Sequence, residues 1–353
     1  MVRVLVADDS PTVRQLLVAI VSASPDLSVV ATAADGEEAL SLTRRHRPDV
    51  VLMDIRMPRL DGYEATGRIM RDCPTPIVLI TGHSDARDAD ASARALGLGA
   101  LWVMRKPPGP GQPGFEVAAR EIVELVKAMA GVRVAPVPSR AASPGPRARP
   151  PGASEGTRLG GPRSGPLAVA ASTGGPAALA QILDGLPAGF PVPVLLVQHI
   201  SPGFVGSFAT NLDHSARVRV RVAEHGEALR ASTVYVAPDG LHLGVSASGR
   251  VELSGASPID GFRPSATHLF RAVTEAYGER TVALILTGMG HDGVEGLRAV
   301  REAGGLVLAQ DEATSVVYGM PGVAAREGLV HRALPLPSIA GTLKEVFDGC
   351  DAW

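Results

Sequence analysis

The amino-acid sequence predicts an α/β protein built from two doubly wound, mainly parallel sheets joined by a flexible linker. Short apolar runs alternate with helical patterns over residues 1–130, the alternation stops over 131–165, and it resumes over 166–353. A chain of 353 residues is also too long for one ordinary domain.

In the first unit the runs VRVLVA (2–7), LSVVATA (27–33), DVVLM (49–53), PIVLI (76–80) and ALWVM (100–104) are β-branched and apolar on both faces. Such runs suit strands covered by helices on each side. Residues 12–22, 36–46, 62–71, 84–96 and 115–129 have helical spacing and good helix formers. Five strand–helix units imply a parallel sheet, because parallel neighbours require crossover connections. Residues 131–165 hold seven Pro and seven Gly with hardly any large apolar side chain. That composition cannot offset ordering entropy and reads as a linker, semi-extended through its prolines. The second unit, 166–353, offers strands at 167–172, 192–198, 282–287 and 306–310, with helical patterns near 175–184, 203–212, 264–277, 293–303 and 336–348. A β-rich insert is expected from about 218 to 254, with a hairpin in LHLGVSASGRVELS.

Composition narrows the function. Aromatics are 4% of residues, so the cores are built from Val, Leu, Ile and Ala. No apolar run approaches the roughly 20 residues of a membrane span, and the N-terminus enters a strand pattern at once, unlike a signal peptide. Cys73 and Cys350 show neither metal-ligand spacing nor a disulfide framework. The expectation is a cytoplasmic, reduced protein without membrane insertion. Residues 166–353 carry 13 basic and 18 acidic groups, and no helix-turn-helix pattern is visible there. Net negative charge disfavours a polyanion, so no nucleic-acid partner is expected.

In open α/β sheets functional groups gather at the carboxyl ends of strands. Asp8 and Asp9 follow the first strand, Asp54 the third, Thr81 the fourth and Lys106 the fifth. Three carboxylates at one rim repel each other unless a divalent cation sits among them, and such a set suits Mg2+. A carboxylate can also act as a nucleophile and form an acyl phosphate. Lysine would balance the phosphoryl charge, and the threonine hydroxyl could bond to it. The DD pair at 8–9, MDIRMPRLDG at 53–62, Thr81 in LITG and Lys106 in KP resemble the receiver domain of two-component response regulators. The resemblance implies a flavodoxin-like fold and phosphoryl transfer from a histidine kinase to Asp54, with Mg2+ held by Asp8, Asp9 and Asp54. One departure stands out: the aromatic that receivers often carry three residues before the lysine is Val103 here, with Trp102 one step away. That puts the usual coupling of this aromatic to the hydroxyl in doubt.

Strand ends in the second unit carry another set. Ser172 follows LAVAA and precedes Thr173-Gly174-Gly175-Pro176, His199 ends VPVLLVQ, and Asp292 follows VALILT within TGMGHDG. Two readings of Ser172 stand: a helix cap bonding to backbone N–H groups, or a nucleophile near a helix N-terminus. A hydroxyl, an imidazole and a carboxylate at one rim are what acyl transfer needs, because serine alone is too weak a nucleophile at neutral pH. His225, His242 and His268 lie in the insert or on a helix and lack a strand-end position. His291 adjoins Asp292, and adjacent residues rarely point at one target.

AASTGGP (170–176), VQHISPGF (197–204), GFRPSATHLF (261–270), LTGMGHDG (286–293) and DEATSVVYGMP (311–321) resemble the chemotaxis protein-glutamate methylesterases over residues 166–347. The resemblance implies a Rossmann-like catalytic domain with Ser172, His199 and Asp292 as its triad and the Met289 N–H as an oxyanion donor. It implies demethylation of methyl-accepting chemotaxis receptors, deamidation of glutamines, and a chemotaxis-type histidine kinase as phosphodonor. No cofactor is implied for the ester hydrolysis. Arg263 in the RPS motif has two readings, contact with an acidic receptor surface or a role at the helix entry.

Overall fold

The computed structural model describes residues 1–82, 100, 102–130, 132 and 164–349. The helix expected over 84–96, the linker apart from residues 132, 164 and 165, and the tail after Gly349 lie outside the described residues.

The N-terminal sheet comprises β1 (Val2–Ala7), β2 (Leu27–Ala33), β3 (Val50–Asp54), β4 (Ile77–Thr81) and β5 (Trp102–Arg105). Their spatial order is β2-β1-β3-β4-β5, all parallel. Alternation within the apolar runs divides them between two cores. Leu5, Val51, Met53 and Leu79 face one side, whereas Val4, Val6, Val50, Leu52, Val78 and Ile80 face the other. Local signals start the helices: Ser10 caps Pro11–Ser22 by accepting from Val13 N–H, Asp35 caps Gly36–His46 through Glu38 N–H, and Asp61 caps Gly62–Asp72 through Glu64 N–H. The sequence returns to helix at Phe115–Ala130.

The C-terminal sheet comprises β6 (Leu167–Ala171), β7 (Val194–Gln198), β8 (Arg219–Val222), β9 (Thr233–Val236), β12 (Val282–Ile285), β13 (Leu306–Gln310) and β14 (Arg332–Leu334). Its order is β14-β13-β12-β6-β7-β9-β8, again all parallel. The expected insert over 218–254 is thereby corrected. β8 and β9 complete the main sheet, and only β10 (His242–Val245) and β11 (Val251–Ser254) form a separate antiparallel hairpin. β8 is a four-residue edge strand with polar residues alternating along it, so its run does not mark it as a member of the main sheet.

The chain leaves β6 toward β7 on one side and returns through β12 on the other, which makes the carboxyl ends of these three strands the topological switch point. The helix Ala266–Tyr277 packs across this region with Phe270 fully buried. The helix Val294–Glu302 approaches it closely at Gly296, where a Cβ would stand 2.8 Å from the Thr267 carbonyl oxygen. That contact brings the 286–293 loop to the start of the 266–277 helix. No helix among the described residues is long and apolar enough to cross a membrane.

The two units touch along β5. Phe204 is buried in the receiver-side core with Val103, and the Ser201 hydroxyl donates to the Val103 carbonyl. Trp102 and Val103 line the same cleft as Ser172 and His199.

Candidate active site

At the carboxyl ends of β1 and β3, ligand oxygens of Asp8, Asp9 and Asp54 all lie within 4.8 Å of one another. Asp8 and Asp54 are buried and Asp9 is exposed. Lys106, just past β5, places its Nζ 2.9 Å from Asp8 Oδ2 and 2.8 Å from Asp54 Oδ2. Thr81 is buried at the end of β4. Burial, with the charges of Asp8 and Asp9, pushes the Asp54 carboxyl up to about 6, although the bond and charge of Lys106 pull the other way. Burial also opposes charge on Lys106, but its two carboxylate partners outweigh that and raise its pKa. An acidic pocket this crowded, made of hard oxygen donors, fits a divalent cation such as Mg2+.

The second site is built on neighbouring strands. Ala171 pairs with Gln198 in the β6–β7 register, so Ser172 and His199 are the next residues out of the sheet on adjacent strands. The His199 N–H donates to the Ala171 carbonyl at 2.9 Å, and the Ser172 N–H donates to the Thr287 carbonyl beyond β12 at 3.0 Å. Gln198 Nε2 donates to the carbonyls of both Ser172 (2.9 Å) and His199 (2.8 Å), tying the two strand ends together. Ser172 does not cap the following helix. The residue before Gly175–Gly185 is Gly174, at φ 78°, with no side-chain cap bond. A Cβ on Gly174 would lie 2.5 Å from Val316 Cβ, so glycine is required both by conformation and by space.

His199 Nε2 lies 2.9 Å from Asp292 Oδ2. Asp292 also accepts from the Ser265 hydroxyl (2.8 Å), the Ala266 N–H (2.7 Å) and the Thr267 N–H (3.1 Å), at the start of the 266–277 helix. Burial would raise this carboxyl, but the His199 bond and charge, the Ala266 N–H and the Ser265 hydroxyl outweigh it and hold the pKa at about 2. An ionised carboxylate only accepts, so Nε2 carries the imidazole proton and Nδ1 is the basic nitrogen. Nδ1 is buried with no hydrogen-bond partner, the ring stacks on Phe262 with centroids 4.4 Å apart, and His199 lines one cleft with Ser172.

A carboxyl depressed from 3.8 to about 2 stabilises the fold above about pH 4 and loses that contribution as pH falls toward 2. Relative to Asp292→Asn, the wild-type protein is therefore expected to lose about 2 kcal/mol between pH 5 and 2. Urea unfolding at each pH measures this, and a difference that stays constant over the range rules out a depressed Asp292.

The oxyanion position expected at Met289 borders the serine. A Cβ on Gly288 would lie 2.8 Å from Ser172 Cβ, and the Gly288 carbonyl accepts from the N–H groups of Gly319 (3.1 Å) and Met320 (2.9 Å). In a trans peptide the Met289 N–H points the opposite way from that carbonyl, out of the 319–320 turn. His291 is exposed while Asp292 is buried, so the two neighbours diverge as expected. Of the other histidines, His225 Nδ1 accepts from the Leu253 N–H and His242 is enclosed far from solvent. Arg263 Nη1 donates to the carbonyls of Gly255 and Ala256, a tie within its own loop. Sequence reasoning did not find Ser265, Phe262 or Gln198. Their only signal is position, within the GFRPS stretch and immediately before His199.

A phosphoacceptor-type pocket on a five-stranded parallel sheet, beside a hydroxyl–imidazole–carboxylate cleft on a second one, defines a response regulator whose output is a hydrolase. Residues 4–112 match the response regulator receiver domain and residues 167–343 match CheB methylesterase. The chain is 51% identical to protein-glutamate methylesterase/protein-glutamine glutaminase 4 of Myxococcus xanthus (strain DK1622) over 348 residues, 98% of this chain and 97% of that protein. It is 51% identical to the corresponding protein 3 of Anaeromyxobacter dehalogenans (strain 2CP-C) over 346 residues, 97% of this chain and 98% of that one. Among solved structures, the Thermotoga maritima CheB methylesterase catalytic domain is 39% identical, covering 53% of this chain and 99% of that one at a TM-score of 0.51. The chain belongs to the CheB family of protein-glutamate methylesterases/protein-glutamine glutaminases and carries the family's hydrolase domain behind a receiver.

Proposed function

We propose that Ser172, His199 and Asp292 hydrolyse γ-glutamyl methyl esters on methyl-accepting chemotaxis receptors at the cytoplasmic side of the membrane, and that phosphorylation of Asp54 by a chemotaxis-type histidine kinase switches this activity on. Ser172 Oγ attacks the ester carbonyl while His199 Nδ1 takes its proton. Asp292 steadies the resulting imidazolium through Nε2, and the Met289 N–H donates to the oxyanion. Collapse breaks the bond to methoxide, which leaves as methanol with the proton from His199. Water then attacks the acyl-enzyme, again giving a proton to His199, and releases glutamate and the free serine. A glutamine side chain follows the same course with ammonia as the leaving group. The observation that carries the reading is the bond from His199 Nε2 to Asp292, in a histidine that lines one cleft with Ser172 and whose Nδ1 has no hydrogen-bond partner.

In the receiver, Asp8, Asp9 and Asp54 would hold Mg2+, which offsets the charge of the incoming phosphoryl group. The Asp54 carboxylate attacks the phosphorus of the kinase's phosphohistidine, the P–N bond breaks and the imidazole leaves; Lys106 then leaves its ion pair to meet the new charge, and the Thr81 hydroxyl bonds to it. Lys106 directly follows β5, whose Trp102 and Val103 line the Ser172 cleft, and this supports a receiver that occludes the esterase until phosphorylated.

Methanol release from methylated receptor membranes tests the reading. A chain starting at residue 164 is expected to run about 10-fold or more faster than the unphosphorylated full chain, a closure bias of about 1.4 kcal/mol or more. A small phosphodonor with Mg2+ should bring the full chain close to that rate, and Asp54→Asn should hold it slow. A shortened chain no faster than the unphosphorylated whole overturns occlusion.

A further inference from the structure

The esterase reading gives no role to His242, although it is completely buried next to the machinery. It lies on β10, and both ring nitrogens are engaged. Nδ1 accepts from the Ser265 N–H at 3.2 Å, and Nε2 lies 3.1 Å from the Ser257 carbonyl oxygen. A nitrogen that accepts from an N–H carries no proton, so Nε2–H is the donor to Ser257. The ring stacks on His268 of the 266–277 helix, with centroids 4.7 Å apart and planes 23° apart. The hairpin packs closely on that helix, where a Cβ on Gly244 would stand 3.1 Å from Ala272 Cβ.

Ser265 is the N-cap residue of the helix and is fully buried. Its single hydroxyl proton goes to Asp292 Oδ1 at 2.8 Å, while its oxygen faces the His268 N–H at 3.4 Å. The Ser265 N–H precedes the helix and has no partner within it, so a buried acceptor from elsewhere must hold it. His242 Nδ1 is that acceptor. A bond path therefore runs from the hairpin to the base: Ser257 carbonyl, His242, Ser265, Asp292, His199.

We propose that His242 is a positioning residue for ester hydrolysis: by accepting the Ser265 N–H it fixes the serine whose hydroxyl orients Asp292, and through Asp292 the His199 ring. This rests on the Ser172–His199–Asp292 reading above. A serine released from His242 turns to find another acceptor for its N–H, and its hydroxyl leaves Oδ1. Asp292 then holds the imidazole less firmly. Small displacements of this kind cost turnover more than binding.

The test uses the full chain with phosphodonor and Mg2+, methylated receptor membranes as substrate, and a fluorophosphonate to count active serines. His242→Phe keeps the ring and its stacking but removes the acceptor, and is expected to lower kcat about 10–100-fold with KM changed less than about 2-fold. His242→Asn sets an amide oxygen near the place of Nδ1 and should recover most of that loss. Ser265→Ala should lose about as much as His242→Phe, and the double variant should lose little more than either, because both act through one carboxylate. Wild-type kcat in His242→Phe overturns the proposal, as do losses that multiply in the double variant or an Asn variant no better than Phe. If His242→Phe does not fold, His242→Gln, which can reach the Ser257 carbonyl but offers no acceptor at the place of Nδ1, is read in its stead, and wild-type kcat there overturns the proposal. Turnover surviving in Ser172→Ala instead overturns the triad reading and is scored separately.

Discussion

Ser172→Ala is expected to lower methanol release by about 10^4- to 10^6-fold, leaving only the residual rate that oxyanion stabilisation and binding supply. The side chain lost is small, 5% exposed, and makes no cap bond to the following helix. Folding should therefore be nearly untouched, with the unfolding midpoint within a few degrees of wild type. Receptor binding should persist as well, since the Ser172 N–H still bonds to Thr287 and its carbonyl still accepts from Gln198. Methanol release on receptor membranes and reaction with a fluorophosphonate report the same hydroxyl by independent routes. Activity reduced less than about 10-fold would move the chemistry to another residue.

Both catalytic and phosphoacceptor candidates were legible because the physics of parallel sheets is legible. Runs such as VVLM and VLLV are apolar on both faces, so their boundaries are sharp, and the polar residues at the carboxyl end of each fall on one rim of its sheet. Asp54, His199 and Ser172 are each found this way. Asp292 is harder, lying seven residues past Ile285, where the TGMGHDG loop must fold back before presenting it. Position alone does not distinguish it from His291; the structure does so by burying one and exposing the other.

What was not legible lies in contacts between distant segments. The four bonds to Asp292 come from His199 and from the start of a helix at residues 265–267, and three of them depend on how that helix meets the loop. Backbone N–H groups leave no mark in residue type, so the anchoring of the acid was invisible. The mispairing of β8 and β9 as an insert has a similar cause: RVRV and TVYV are too short for periodicity to separate a sheet member from a hairpin arm. The displaced aromatic at Trp102 was visible as a departure from the receiver pattern. Its place in the esterase cleft follows only from how the two units meet.

Asp292→Asn is expected to cost about 10^4-fold in kcat, with KM nearly unchanged, by inverting the imidazole rather than by unmaking the site. The carboxylate receives four donors, two at each oxygen: His199 Nε2 and the Ala266 N–H at Oδ2, and the Ser265 hydroxyl and the Thr267 N–H at Oδ1. An amide has one accepting oxygen and one donating nitrogen, so two of those donors must meet N–H groups. Two backbone donors and one hydroxyl cannot all be satisfied by the remaining oxygen, but an imidazole can reverse its tautomer. His199 would then take a proton at Nδ1 and accept at Nε2, which leaves no base facing Ser172. The fluorophosphonate reaction should slow in parallel with turnover, because it needs the same base. Protein NMR of a labelled His199 should show the proton on Nδ1 in the variant and on Nε2 in the wild type. If the variant kept Nε2–H and still lost activity, Asp292 would be acting through its charge on the imidazolium, and Asp292→Glu, with the charge retained, should then recover part of the rate.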